Sequence, residues 1–195
     1  FVYTSSAAVF GLHDEWITEE TESNAMNFQI NYFHSKLKAE ELVRTAETKG
    51  LLDTVILNPT NVVGPGDQNI WTPFVMAIAS NKLKTIGPGT GSFCHINEVA
   101  KAHLTAFEKG RSGDRFLLSG ATARFIEVAE IIANITGGHK PTLVTEELNN
   151  LTPEMSELMK YHQFVNSDKA KRELNYKSIT IEEMFLDLVK WINII

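Results

Sequence analysis

The longest uninterrupted pattern in the chain runs from Phe28 to Lys49. This stretch contains neither glycine nor proline, is rich in Ala, Glu, Lys and Leu, and stops at Gly50. It predicts a helix of about five turns with a glycine cap at its C-terminus. Apolar runs lie on either side of it, at Phe1–Ser6 and Thr54–Leu57, and each predicts a buried strand. The chain therefore opens with a strand, a long helix and a second strand.

Shorter patterns continue toward the C-terminus, without internal repeats or low-complexity segments. Pro73 falls in the first turn of one predicted helix, where its missing N–H costs nothing, and Asn97 is the expected N-cap of another. Predicted helices cover Trp71–Ser80, Glu98–Lys109, Ile126–Thr136, Thr152–His162 and Ile179–Ile195, and predicted strands cover Leu83–Ile86, Ser92–Ile96, Arg115–Leu118 and Pro141–Val144.

Composition sets limits on the partners of this protein. The 195 residues are 43% hydrophobic and 22% charged, which is typical of an ordinary soluble protein with a sizeable core. The net charge is −6 with scattered basic residues, so neither nucleic acid nor a membrane surface is expected as a partner. No apolar run approaches the roughly 18 residues of a membrane span. A single cysteine, Cys94, excludes an internal disulfide and suits a reducing cytoplasm.

Candidate chemistry lies on the long helix and at the end of the first strand. Tyr32 and Lys36 are four residues apart, so a helix brings their polar ends to the same spot. An ammonium group beside a phenol favours the phenolate and makes the phenol usable as an acid or base near neutral pH. Ser5 and Ser6 end the first strand, at the edge where open α/β sheets bind ligands.

The order of these motifs resembles the extended short-chain dehydrogenase/reductase family, also described as NAD-dependent epimerase/dehydratase. Hydroxyls at a strand end come first, then Tyr-x-x-x-Lys on a helix, then a strand followed by Asn-Pro-Thr-Asn-Val-Val-Gly-Pro at residues 58–65. The resemblance runs from Phe1 to about Gly138. It implies an α/β fold: the C-terminal part of a doubly wound, Rossmann-like parallel sheet with an interleaved smaller α+β substrate domain. The implied cofactor domain contains residues 1–70 and 97–113, and the implied substrate-binding domain contains residues 71–96 and 114–195.

The resemblance also implies a role for each motif residue. Ser6 hydrogen-bonds the substrate oxygen, and Ser5 is its neighbour in the motif. Tyr32 gives its proton to the carbonyl oxygen as hydride reaches the carbon, while Lys36 favours the phenolate and holds the nicotinamide ribose hydroxyls. The implied activity is reduction of a small-molecule carbonyl, or oxidation of the alcohol, with NAD or NADP. The residues implied at the cofactor are Ser5, Tyr32, Lys36, Asn58, Pro59 and Asn61.

The sequence has no phosphate-binding turn of the Gly-x-Gly-x-x-Gly type ahead of a helix. The glycine-rich run Gly87–Gly91 does not begin a predicted helix, and the chain opens inside a strand. We therefore expect the C-terminal portion of a longer enzyme, without the N-terminal dinucleotide-binding half. This portion alone is expected to be inactive and to bind NAD(P) poorly. Its open strand edge makes a homodimer possible.

The position of Gly91 narrows the substrate class. Related enzymes that act on nucleotide sugars often carry an arginine here to bind the diphosphate, whereas this sequence has no arginine between Arg44 and Arg111. The segment is closer to the dihydroflavonol-reductase-like group, whose substrates are often neutral carbonyls.

Two alternatives stay open. One is a nucleotide-sugar epimerase or dehydratase, in which the diphosphate clamp comes from Lys82, Lys84 or Arg124. The other is a non-catalytic, nucleotide-sensing member of the family. The intact set of Ser6, Tyr32 and Lys36 argues against the second, because a sensor needs no proton donor.

The remaining features favour structural roles. The six histidines form no His-x-x-x-His or His/Cys cluster, so no metal site is expected. His95 is expected to be a satisfied, partly buried histidine, and Cys94 lacks basic neighbours that would make its thiolate reactive. The acidic stretch Ala7–Asn27 is expected to be a solvated face, in which Trp16 is either a cleft wall or a packing anchor.

Overall fold

The computed structural model describes residues 1–144 and 158–193. Two short 3-10 helices, Ala7–Phe10 and Ala25–Asn27, lie between the first strand and the first long helix. The strands are β1 (Val2–Thr4), β2 (Val55–Pro59), β3 (Asn61–Val63), β4 (Thr85–Ile86), β5 (Thr90–His95), β6 (Arg115–Leu118), β7 (Thr122–Arg124) and β8 (Thr142–Leu143). The helices are α1 (Asn31–Thr48), α2 (Trp71–Ala79), α3 (Ile96–Lys109), α4 (Phe125–Thr136), α5 (Asp168–Leu174) and α6 (Ile181–Ile192).

The first sheet contains β1, β2 and β6, in that spatial order and all parallel. Successive side chains of a strand point to opposite faces, so Phe116 packs toward α3 and α5 while Leu117 packs toward the first 3-10 helix. Both faces of β2 are covered and all five of its residues are buried. Full burial explains why Val55, Ile56 and Leu57 form a continuous apolar run rather than an alternating pattern.

The second sheet contains β3, β5 and β7, with β3 parallel and β7 antiparallel to the central β5. It packs against α2, α4 and α6 in the largest apolar cluster of the described residues. Aromatic rings meet edge to face at its centre: the Trp71 ring centroid lies 5.2 Å from that of Phe93 and 5.8 Å from that of Phe185. Such contacts stabilise the core beyond the burial of apolar area, by about 1 kcal/mol each.

The segment of residues 159–166 joins parts of the chain that are far apart in sequence. The N–H of Ile17 donates to Phe164 O at 2.8 Å, and Ile17 pairs with Val165 in a parallel bridge. The N–H of Gly89 donates to Met159 O at 2.6 Å. A Cβ at position 89 would lie 2.4 Å from that oxygen, so this close approach requires glycine. The segment thereby holds the early loop against the start of β5.

The predicted glycine cap of the long helix is confirmed. Gly50 has a φ of 66°, its N–H donates to Glu47 O, and the N–H of Leu51 donates to Ala46 O at 3.0 Å. This pair of bonds is a Schellman motif, which satisfies the last carbonyls of the helix. The predicted N-cap at Asn97 is wrong: α3 begins at Ile96, directly after β5, so the last strand residue, His95, takes the cap position, without a side-chain hydrogen bond to the helix.

Most predicted elements are present with shifts of one to three residues at their ends. Helix α1 begins at Asn31 rather than Phe28, and the strand predicted at Pro141–Val144 is reduced to β8. Most of the helix predicted over Thr152–His162 lies outside the described residues. No helix among the described residues is long and apolar enough to cross a membrane.

The strands of the two sheets come from separate parts of the chain. β6, within residues 114–195, pairs with β2, and the helix α5 packs on the same sheet. β3, within residues 1–70, belongs to the second sheet. Pairing partners are set by long-range contacts, which local patterns do not encode. The predicted division into a cofactor domain and a substrate domain stays a prediction.

Candidate active site

Two strand ends meet at the carboxyl edge of the first sheet. Ser5 and Ser6 follow β1, and Asn58 and Pro59 close the neighbouring parallel strand β2. The backbone N–H of Ser5 donates to Leu57 O at 2.8 Å and holds the two ends side by side. Parallel sheets bind ligands at this edge, and the structure brings these four predicted residues together there.

Ser6 is the N-cap of the first 3-10 helix. Its Oγ accepts a hydrogen bond from the N–H of Ala8 at 3.2 Å. A serine hydroxyl that accepts one bond can still donate its own proton. Because Ser6 also lines a cavity, this proton is available to an oxygen atom inside it.

Helix α1 brings Tyr32 and Lys36 to the same edge. The Nζ of Lys36 donates to Thr4 O, at the end of β1, at 3.3 Å. Tyr32 is 51% exposed and lines the same cavity as Ser6. The next residue, Phe33, is buried and packs with Ala8 and other apolar side chains under the helix. Burial of Phe33 holds the helix on the 3-10 helix and leaves Tyr32 facing the cavity.

The cavity has a volume of about 720 Å³, and apolar side chains outnumber polar ones in its lining. The polar part of the lining includes the hydroxyl and amide groups of Ser6, Tyr32, Thr60, Asn61 and Gln163. The apolar lining comes largely from the second sheet and its helices. Its residues include Val62, Ile70, Trp71, Phe74, Ala77, Leu83 and Phe125.

Asp67 is the one charged side chain among the described residues that line the cavity. Its carboxylate accepts the backbone N–H of Thr72 at 2.6 Å, at the start of α2. The arginine considered for a diphosphate clamp, Arg124, lies outside the lining and pairs with Glu127 at 2.8 Å. The described lining therefore contains no cation that could pair with a diphosphate.

A sequence profile described as the NAD dependent epimerase/dehydratase family matches residues 1–119. The chain belongs to this family. The match confirms the predicted membership and covers the two strand ends, the Tyr-x-x-x-Lys helix and the Asn-Pro segment.

Characterised relatives of this chain include plant reductases. Tetraketide alpha-pyrone reductase 2 of Arabidopsis thaliana is 35% identical over 55% of this chain and 34% of its own length. Dihydroflavonol 4-reductase of the same plant is 24% identical over 97% of this chain and 51% of its own length. The similarity to dihydroflavonol reductases is thus confirmed, and the chain spans one third to about one half of these relatives.

Solved structures of the family share the fold. A nucleoside-diphosphate-sugar epimerase from Pseudomonas aeruginosa is 23% identical with a TM-score of 0.84, over 98% of this chain and 66% of its own. The protein RMD from the same organism, complexed with NADPH, is 19% identical with a TM-score of 0.75, over 100% of this chain and 67% of its own. These likenesses confirm the predicted α/β, Rossmann-like fold class. The NAD-dependent family and the NADPH complex support the predicted cofactor, NAD or NADP.

The other family positions differ in how they meet the cavity. Asn61 lines the cavity, and its Nδ2 donates to Ser92 O at 2.8 Å. Asn58 and Pro59 are buried and are not among the residues that line the cavity. Within the described part of the chain, the buried Ser5 Oγ and Asn58 Oδ1 have no hydrogen-bond partner. These unpaired polar atoms at the strand ends match a ligand that carries amide or hydroxyl groups.

A buried ion pair that the sequence patterns did not predict involves the helix that carries Tyr32 and Lys36. Glu40, on α1, is 2% exposed, and its Oε1 accepts a hydrogen bond from Arg115 Nη1 at 3.2 Å. The available signal was helical spacing, since Glu40 follows Tyr32 and Lys36 at steps of four and shares their face.

Cys94 and His95 have structural roles here. Burial raises the pKa of the Cys94 thiol to about 12, so the thiolate is scarce at neutral pH and the expected unreactive cysteine is confirmed. His95 is buried and its Nε2 lies 3.1 Å from Asp187 Oδ2, as expected for a satisfied histidine. Among the described residues no group of three or more His, Cys, Asp or Glu side chains could hold a metal ion.

The expectation of a solvated face over Ala7–Asn27 holds only for its acidic side chains, which are exposed except that of Glu19, whereas residues 7–12, Ile17 and Ala25 are buried, nearly all of them in apolar clusters. Glu19 turns inward, and its Oε1 accepts the N–H of Leu117 in β6 at 2.9 Å. Trp16 is 58% exposed, lies outside the cavity lining and contacts the Phe164 ring at 5.5 Å, so it is a packing residue rather than a cleft wall. The predicted homodimer and cytoplasmic location stay predictions.

Proposed function

We propose that the whole protein to which this chain belongs is an NAD(P)-dependent reductase of an uncharged, largely apolar carbonyl compound. The observation that carries the proposal is the polarity of the cavity. Ser6 and Tyr32 contribute hydroxyl groups to its lining, and most of the other lining side chains are apolar. Ligand pockets of this kind bind an apolar body and orient one polar group.

The residues of the chain have distinct tasks in this reaction. When bound, the cofactor supplies the hydride that adds to the carbonyl carbon. Tyr32 transfers its phenolic proton to the carbonyl oxygen, which becomes the alcohol, and takes a proton in the reverse direction. Ser6 donates a hydrogen bond to the same oxygen while its own Oγ accepts from Ala8. Lys36 lies one helical turn after Tyr32 on the same face of α1, where its positive charge attracts the negative oxygen that remains after proton transfer.

The same groups fit the nicotinamide end of the cofactor. Lys36 offers N–H donors at the end of β1, where ribose hydroxyls could accept them. The buried Ser5 and Asn58 offer unpaired oxygen atoms behind the cavity wall. With Pro59 and Asn61 they complete the set of residues that we assign to cofactor binding.

A panel of substrates tests the proposal on the whole protein. We expect oxidation of NADH or NADPH with uncharged aryl or cyclic ketones or aldehydes, and no turnover of UDP-glucose or dTDP-glucose. The reason is electrostatic, because Asp67 repels a diphosphate and the described lining supplies no compensating cation. Micromolar binding of a nucleotide sugar in calorimetry would instead favour the epimerase or dehydratase alternative.

Filling part of the apolar lining provides a second test of the same cavity. Ala77 lines the cavity from α2, so Ala77→Phe should lower kcat/KM for bulky ketones about tenfold or more and change it less than about threefold for small ones. The matched control is Met76→Phe, which adds an aromatic ring on the exposed side of the same helix. Equal losses for bulky and small ketones in Ala77→Phe would place substrate binding elsewhere.

A further inference from the structure

Helix α1 carries a buried carboxylate about two turns after Tyr32. Glu40 is 2% exposed, four residues after Lys36 and eight after Tyr32. Positions four apart lie one above the other on a helix, so the three side chains form one row. Burial of a charged group is costly unless it is paired and hydrogen-bonded, and the partners of Glu40 therefore indicate what it holds.

Both oxygens of Glu40 are bonded to the first sheet. Oε2 accepts from Asn58 Nδ2 at 2.7 Å, and Oε1 accepts from Arg115 Nη1 at 3.2 Å. The same Nδ2 of Asn58 donates to Ser6 O at 3.1 Å. The carboxylate is thus one amide group away from the backbone of the predicted substrate-binding serine.

Arg115 extends this network to the turn that Ser6 begins. Its guanidinium lies 4.5 Å above the ring of Phe10, the last residue of the first 3-10 helix. The guanidinium also donates to Glu19 O in the early loop. The network therefore connects the helix that carries Tyr32 with the strand end and the turn that carry Ser6.

We propose that Glu40 is a positioning residue that fixes the rotation of α1 and the place of the Ser6 backbone, so that Tyr32 and Ser6 face the same oxygen atom. The proposal rests on the proposed reductase function for its catalytic consequence. The two hydrogen bonds of Glu40 lie on one side of α1, and they oppose rotation of the helix about its axis. Displacement of reacting groups by about 1 Å can cost on the order of 100-fold in rate.

The first experiment compares Glu40→Gln with Glu41→Gln in the whole protein. Gln keeps the size of the side chain but removes the charge and one acceptor, and Glu41 is the exposed neighbour on the same helix. We expect kcat at saturating substrate and cofactor to fall tenfold or more in Glu40→Gln, with cofactor Kd within threefold, and to stay within twofold in Glu41→Gln. A folded Glu40→Gln protein with wild-type kcat would overturn the proposal.

A second readout does not depend on activity. Hydrogen exchange of peptides covering residues 28–45 should be about tenfold or more faster in Glu40→Gln than in Glu41→Gln, because α1 loses one of its two acceptors for Asn58 and Arg115 and the charge that pairs with Arg115. If the wild type reduces no carbonyl compound, the proposed function fails and exchange alone decides the positioning role. Unchanged exchange would then contradict it.

A double variant covers the case in which Glu40→Gln does not fold. Glu40→Met with Arg115→Met removes both charges and leaves neither one buried alone. Low kcat in this folded variant supports the positioning role. Wild-type kcat in it would overturn the role, because the packing would then suffice without the network.

Discussion

Replacement of Tyr32 by Phe should lower kcat of the whole protein by about 10² or more and change cofactor Kd less than threefold. Phe keeps the ring but carries no transferable proton, and general acid catalysis contributes a factor of about 10² to 10⁴. The ring is 51% exposed, so stability should not change. Steady-state kinetics and calorimetric titration with NADH and NADPH measure the two quantities separately.

Replacement of Lys36, one helical turn after Tyr32, should have a different effect from replacement of Tyr32. Lys36→Met should lower turnover and also weaken cofactor binding, because the ammonium group is lost together with its bond to Thr4 O. Lys38→Met, an exposed change on the same helix, is the control and should behave like the wild type. Small, equal effects of Tyr32→Phe and Lys36→Met would leave both residues with packing roles and remove the catalytic assignment.

Replacement of Arg115 by Met should lower the free energy of unfolding by about 3 kcal/mol or more. Removal of one partner of a buried ion pair leaves the other charge uncompensated, and such changes cost about 3–5 kcal/mol. Here the remaining charge is Glu40, which is 2% exposed, and Phe10 also loses its contact with the guanidinium. Urea unfolding of the two proteins at neutral pH measures the difference.

Two controls separate this effect from a general loss of charge. Arg111→Met removes an arginine that is 75% exposed, and its midpoint of urea unfolding should match that of the wild type. Glu40→Met combined with Arg115→Met should recover most of the loss, since no lone charge stays buried. Arg115→Met and Arg111→Met with the same stability would show that the pair contributes nothing.

Local patterns were sufficient to predict much of the fold. Helix α1 and the strand β2 were predictable because a long stretch without breakers and a fully buried run each have a distinct signature. The place of β6 was not predictable from its four residues. It depends on pairing with β2, more than fifty residues earlier, and on the packing of α5 from near the end of the chain.

In the candidate site too, some residues follow from local sequence patterns, whereas others depend on contacts between distant parts of the chain. Tyr32 and Lys36 follow from helical spacing, and Ser6 follows from its place at a strand end. Glu40 did not stand out, because a glutamate in a helix rich in Glu and Lys has the pattern of a solvated face. Its burial depends on Arg115, 75 residues away in the sequence.

The bridge between Ile17 and Val165 has a consequence for biosynthesis. A nascent chain emerges from the ribosome with its N-terminus first, so the loop around Ile17 is made long before residues 159–166, which hold it. The bond from Ile17 to Phe164 cannot form until nearly 150 further residues have emerged. Closure of so large a loop costs conformational entropy, which grows with the logarithm of its length. The contact that anchors this loop therefore forms among the last in the nascent chain, after the first sheet already has all three of its strands.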